Sequence, residues 1–214
     1  MLRLQRLRCA SAAALAWLAT APAASAMPVI SELFYDAVGS DDGWSFVELY
    51  GAPGASLDGL RLESVNGDGG AVAARLVLSG TFGADGLFVV ADRTAAGATQ
   101  VPDADLLLDF DFQNGPDSLV LLGASGVLDA LAYGVFAPEQ VAAGEGAPAP
   151  DVAPGESLAR RFADVDGDDN ALDFVVLAAP TPGTAPLAAI PEPGTAALAA
   201  FGLAALARRR NALR

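Results

Sequence analysis

The sequence predicts an all-β domain, a β-sandwich, flanked by two segments of different character. Short apolar runs recur between residues 28 and 178, broken by Gly, Asp, Asn and Pro. That punctuation belongs to strands joined by turns. Several runs alternate apolar with polar residues, the period of a half-buried strand. No stretch between them sustains a helical period. Eight to ten strands in about 150 residues suit a two-sheet sandwich.

The first runs cover 29–35 and 46–50. In LRLES, Leu60 and Leu62 fall opposite Arg61 and Glu63. Runs at 72–78 and 87–91 follow. In LLLDFDFQ, Leu106, Leu108, Phe110 and Phe112 share one face, and Asp109, Asp111 and Gln113 the other. The last runs are 118–122, 127–133, 157–162 and 173–177. The turns between them have suitable chemistry: Asn66-Gly67-Asp68-Gly69-Gly70, Gly83-Ala84-Asp85-Gly86 and Asn114-Gly115-Pro116-Asp117. The segment 139–156 is rich in Pro, Ala and Gly and reads as a long surface loop. Residues 179–193 hold five prolines and read as an extended stalk, with 185–190 as the spacer beyond the domain.

Charge is distributed unevenly. All 26 acidic residues lie between Glu32 and Glu192. Over residues 27–190 there are 5 Arg against 25 acidic residues, a net of −20 (5 − 25). Such a body repels phosphate backbones and anionic lipid, so nucleic acid is not an expected partner. Soluble cations and cationic surfaces are, although acidity also serves solubility alone.

Missing residue types exclude much chemistry. The chain has no histidine and no lysine, and its one cysteine, Cys9, lies in the N-terminal segment. Ser-His and Cys-His nucleophiles, imidazole zinc sites, Schiff bases and P-loops are therefore excluded. Carboxylate chemistry and oxygen-ligand metal sites remain. Paired carboxylates hydrolyse glycosides, but an acidic chain has many such pairs. The expectation is a domain that is not an enzyme. With no thiol in the body, stability must come from core burial and bound ions.

Residues 1–26 read as a secretory signal peptide, which makes the Sec translocon a partner. MLRLQRLR is basic, residues 10–24 are apolar, and Ala24-Ser25-Ala26 supplies a small-x-small cleavage pattern before Met27. At the other end stand Pro191-Glu192-Pro193-Gly194, the apolar stretch 195–207 and Arg208-Arg209-Arg210. Thirteen residues of helix span about 20 Å, short of the roughly 30 Å hydrocarbon core. This stretch is a marginal, transient anchor, oriented by the arginines with the body outside. The order of parts in 191–214 resembles the PEP-CTERM sorting signal. That resemblance implies recognition by an exosortase, cleavage near Pro191, Glu192 and Pro193, and removal of Arg208, Arg209 and Arg210. It also implies a bacterium that makes exopolysaccharide and biofilm. The implied destination is the cell surface or extracellular matrix, after transient anchoring in the inner membrane.

The body has a resemblance of its own. VISELFYD, FVELYG, LDGLRLES, GLFVVAD, NGPDSLVLLGASGVLDALAYG, GESLARR, DVDGDDNALDF and PTPG occur in the order found in bacterial lamin tail domains. The resemblance covers residues 28–184 and implies an immunoglobulin-like β-sandwich over 27–184. Gly51 stands where the family usually has Asn, and Leu60 where it often has Trp; both keep the small or apolar character. Lamin tail domains are usually non-catalytic binding or docking modules.

Three sets of residues stand out. Glu32, Glu48 and Asp129 fall inside strands, where a carboxylate needs a partner: a shared ion or ligand, backbone amides, an arginine, or a sheet edge. By plain alternation Asp129 shares a face with Val127, Leu131 and Tyr133. Asp164, Asp166, Asp168, Asp169, Asn170 and Asp173 are the densest acidic cluster, and Asp-x-Asp-x-Asp repeats the first ligand positions of a calcium loop. Asp169 holds the usual Gly position and Val175 that of the bidentate Glu, so calcium there would bind weakly; a solvated turn paired with Arg160 or Arg161 is the alternative. Trp44, Phe46, Tyr50, Tyr133 and Phe136 could form a sugar-stacking surface or belong to the core. The expected function is a non-enzymatic exported binding or structural module, partnered by extracellular polysaccharide or a surface protein. A carboxylate glycan hydrolase and a calcium-dependent adhesin are the alternatives.

Overall fold

The computed structural model describes residues 27–188. The signal peptide expected at 1–26, the sorting segment and the apolar stretch 195–207 lie outside the described residues. Ten strands form two sheets. They are β1 (Val29–Phe34), β2 (Phe46–Tyr50), β3 (Arg61–Asn66), β4 (Val72–Val77), β5 (Leu87–Asp92), β6 (Leu106–Leu108), β7 (Asp117–Gly123), β8 (Gly126–Tyr133), β9 (Ser157–Arg160) and β10 (Phe174–Leu177). The six-stranded sheet runs β10-β9-β1-β2-β5-β6 and the four-stranded sheet β4-β3-β7-β8. All pairs are antiparallel except β5 with β6.

Alternation explains which side chains meet between the sheets. Val47 and Leu49 of β2 and Phe88 and Val90 of β5 face inward, against Leu62 of β3, Leu119 and Leu121 of β7 and Leu131 of β8. Tyr35 and Tyr133 stack across the gap with centroids 4.5 Å apart. The opposite faces are covered too. Phe34, Phe46, Val89 and Ala91 lie on the outer face of the larger sheet with Val101 of the 93–105 loop. Val65, Val120 and Ala130 lie on the outer face of the smaller sheet with Ala143 of the 139–156 loop. Burial on both faces is why several strands read as continuous apolar runs rather than clean alternation.

The elements differ from the sequence reading in four places. The run 106–113 keeps its alternating burial, but the ladder ends at Leu108. Beyond it, Phe110 N–H bonds to the Asp92 carboxylate. The run 157–162 ends at Arg160. The last run begins as one helical turn, α1 (Asn170–Asp173), capped by Asp169, whose side chain accepts from Ala171 N and Leu172 N. Four residues are too few for a periodic signal, and the cap is the only local cue. In β8, Leu121 pairs with Asp129 and Leu122 with Val127, leaving Leu128 as a bulge. The bulge breaks the expected parity. Val127 is 59% exposed and Leu128 packs on the central core beside buried Asp129.

The segment expected as a stalk stays on the body as far as the structure describes it. Ala163 N donates to Pro186 O and Ala188 N to Asp164 Oδ1, at 2.8 and 2.7 Å. Residues 178–188 thus form a strap across the outer face of the larger sheet.

Candidate functional site

The two sheets are tied together at β9 by one buried cation. Arg160 is 1% exposed, and its guanidinium sits 4.7 Å from the centre of the Phe174 ring. Nε donates to Ile30 O at 3.0 Å. Nη2 alone donates to both Asp129 oxygens, at 3.0 and 2.9 Å, a charge-assisted contact. Nη1 donates to Asp173 Oδ2 at 2.9 Å and Asp166 Oδ1 at 3.2 Å. Asp129 also accepts from the N–H groups of Ile30 and Ala130.

Strand pairing explains why this network exists. β9 pairs with β1 only at Glu32 and Leu33. On that side Ile30 has no strand partner, so the Asp129 carboxylate takes its N–H and the Arg160 guanidinium its C=O. The free edge of β8 is closed by a side chain as well. Buried Asn170 accepts from Ala132 N and Glu145 N, both at 2.9 Å, and donates to Ala130 O at 2.8 Å. Gly144 permits this approach, because a Cβ there would overlap Ala132 N and Asn170 Oδ1.

The six residues predicted as a calcium loop are thereby distributed among several tasks. Asp166 and Asp173 hold Arg160, and they also accept from Asp168 N and Gly167 N. Asp169 caps α1, Asn170 closes the β8 edge, and Asp164 receives Ala188 N. Asp168 is exposed, with φ 55°. Among the described residues, the three carboxylates that converge within 4.8 Å are Asp129, Glu145 and Asp166. Of these, only Asp166 belongs to the predicted set. Glu145 Oε2 is shielded from solvent and has no hydrogen-bond partner. Burial, then the charges of Asp129 and Asp166, push its carboxyl well above the usual range. Sequence reading missed Glu145 because it lies in a Pro/Gly-rich loop, 16 residues after Asp129 and 21 before Asp166, with no spacing motif to announce it.

Glu32 and Glu48 form a second, separate pair. A register shift after Ile30 turns Glu32 to the outer face, directly across from Glu48. Glu32 accepts from Ser157 Oγ at 2.6 Å, Thr181 N at 2.9 Å and Thr181 Oγ1 at 2.8 Å. Glu48 accepts from Ser31 Oγ at 3.0 Å and Gly183 N at 2.7 Å. Burial raises both carboxyls, that of Glu48 to about 7, against the opposing pull of these hydrogen bonds.

The aromatic set does not assemble into one platform. Tyr133 is in the central core and Phe46 in the outer one, while Trp44 is 47% exposed between shallow apolar grooves that also contact Phe34 and Pro180. An open recess of about 500 Å³ is lined by Asp41, Asp42, Asp92, Asp109 and Asp111. Burial, then Asp41 and Asp92, raise the Asp111 carboxyl.

The family model for the PEP-CTERM protein-sorting motif matches residues 189–211. No lamin tail domain model matches. No curated protein and no solved structure matches the chain. The sorting motif implies an exported protein that an exosortase processes in transient association with the membrane. Among the described residues, no helix is long and apolar enough to cross a membrane.

Two outcomes follow from this geometry. Arg160→Leu strips Asp129 of its buried counter-charge and should cost about 3–5 kcal/mol. Urea unfolding of residues 27–190 measures it, and a loss below about 1 kcal/mol contradicts the network's role. The second concerns pH. A carboxyl raised by folding binds its proton more tightly in the folded state. The contribution of Glu48 to stability is therefore greatest below about 4.5, the unfolded value, and falls as pH climbs through about 7. Glu48 alone contributes a change of roughly 2–4 kcal/mol over that window. Melting temperatures between pH 4.5 and 8 should decline, and Glu48→Gln should flatten the decline.

Proposed function

We propose that this is a non-catalytic, exported module of the cell surface or extracellular matrix, with an immunoglobulin-like sandwich of the lamin-tail type that serves binding or structure. The observation that carries this reading is the sorting motif at residues 189–211. The use of the buried carboxylates supports it. Glu32, Glu48 and Asp129 are each engaged by backbone amides, hydroxyls or Arg160, which leaves them little freedom to exchange protons with a substrate. Extracellular polysaccharide or another surface protein is the proposed partner, in a biofilm or matrix setting.

Residues 27–190 should release no reducing ends from the host's own exopolysaccharide. Turnover that disappears on Asp111→Asn, in the acidic recess, would make the protein a glycan hydrolase instead.

One observation favours a second reading, a calcium-dependent adhesin. Glu145 Oε2 is buried without a donor, facing two further carboxylates. A hard divalent cation held by Asp166, Glu145 and Asp129, with Asp168 at the rim, would satisfy that oxygen. At an affinity of about 10⁻⁴ to 10⁻³ M, 5 mM calcium stabilises by about 1–2 kcal/mol. The melting temperature should then rise by roughly 2–8 °C and return on chelation. Glu145→Gln should abolish the rise. Equal shifts with magnesium, or with sodium at matched ionic strength, would reduce the effect to screening.

A further inference from the structure

We infer that residues 178–188 are a latch that withholds the sorting motif from exosortase until the strap lifts off the sheet; the inference rests on that motif being read by exosortase. The latch has a defined set of contacts. Thr181 N and Oγ1 grip Glu32, Gly183 N grips Glu48, Pro186 O accepts from Ala163 N, and Ala188 N donates to Asp164. Pro180 and Pro182 line one shallow groove with Phe34, Phe46 and Trp44. These contacts are strong enough to hold an extended segment, and they are few. Thr181, Thr184, Pro186 and Leu187 remain exposed. A segment held this way belongs to the low-stability end of a fold and opens without global unfolding.

Reach gives the latch its consequence. Ala188 bonds to the body, and Pro191 is three residues further on. Three extended residues span about 10 Å. A body of about 160 residues has a radius of gyration near 15 Å. Latched, the domain therefore crowds the motif, which the apolar stretch 195–207 keeps at the membrane. If the strap lifts as far as Leu177, Pro191 lies fourteen residues beyond the sheet. That length of chain spans about 45–50 Å, enough to let a membrane enzyme close on the motif.

The test follows processing of the full chain in an exosortase-bearing host by pulse–chase, with loss of Arg208–Arg210 read by mass. Three variants are compared with the natural chain. Thr181→Val with Gly183→Pro removes two latch bonds, the Thr181 hydroxyl to Glu32 and the Gly183 N–H to Glu48. Ten Gly/Ser residues inserted after Ala188 add reach and leave the latch intact. Alanine at Pro191, Glu192 and Pro193 is the motif control. The latch variant and the insertion should both be processed faster, by about threefold or more. An unchanged rate for the insertion overturns the latch, whatever the folding of the double variant. Slower processing of a folded double variant also overturns it, since the strap would then present the motif. If the natural chain and the motif control alike keep Arg208–Arg210, the sorting reading itself falls, and the latch with it.

Discussion

The fold turns on one desolvated guanidinium. Arg160 sits where β1 has run out of strand partner on the β9 side, and its five donors are shared among a backbone carbonyl, a carboxylate of the opposite sheet and the acidic loop that follows. A charge placed so deep is tolerated only when its hydrogen bonds are made. Asp129 must therefore enter the gap between the sheets, where alternation with Leu131 and Tyr133 already aims it, while the bulge in β8 turns Val127 out and lays Leu128 on the core. Asp166 and Asp173 must fold back over β9, and α1 with its Asp169 cap turns the chain to allow it. The acidic loop is shaped by that cation.

The outer face of the larger sheet obeys a related constraint. Two carboxylates stand side by side on adjacent strands, and in water they would repel each other weakly and stay charged. Beneath the strap they lose water and gain amide and hydroxyl donors. Burial prevails over the hydrogen bonds, so both carboxyls are raised. Docking of the strap and the raised carboxyl of Glu48 thus go together, because the strap is what takes water from Glu48. A structural pair of glutamates thus holds Thr181 and Gly183, a few residues before the sorting motif.

Much of this fold was legible in the order of residues, and for a physical reason. Strand positions are local: apolar runs at 29–35, 46–50, 87–91 and 118–122 are cut by Gly, Asn and Pro turns, and alternation in LRLES and LLLDFDFQ survives as a burial pattern. The missing histidine and lysine, and the confinement of the sole cysteine to the N-terminal segment, exclude whole classes of chemistry by composition alone. The order of the Pro-Glu-Pro motif, apolar stretch and arginines is likewise a linear signal, because a sorting enzyme reads it as a linear segment.

Which carboxylates meet could only be decided in three dimensions. The Asp164–Asp173 run looked like one ligand set, yet its members cap a helix turn, close a strand edge and hold an arginine. Glu145 and Asp129, distant in sequence from that run, converge on Asp166 through the packing of a loop against β8. Bulges at β1 and β8 set which way Glu32 and Val127 point, and a bulge inverts parity without leaving a periodic trace. The sequence alone determined strands, charge and destination, since these depend on neighbours along the chain. The tertiary structure decided the partners of each buried charge, because desolvation and hydrogen bonding depend on neighbours in space.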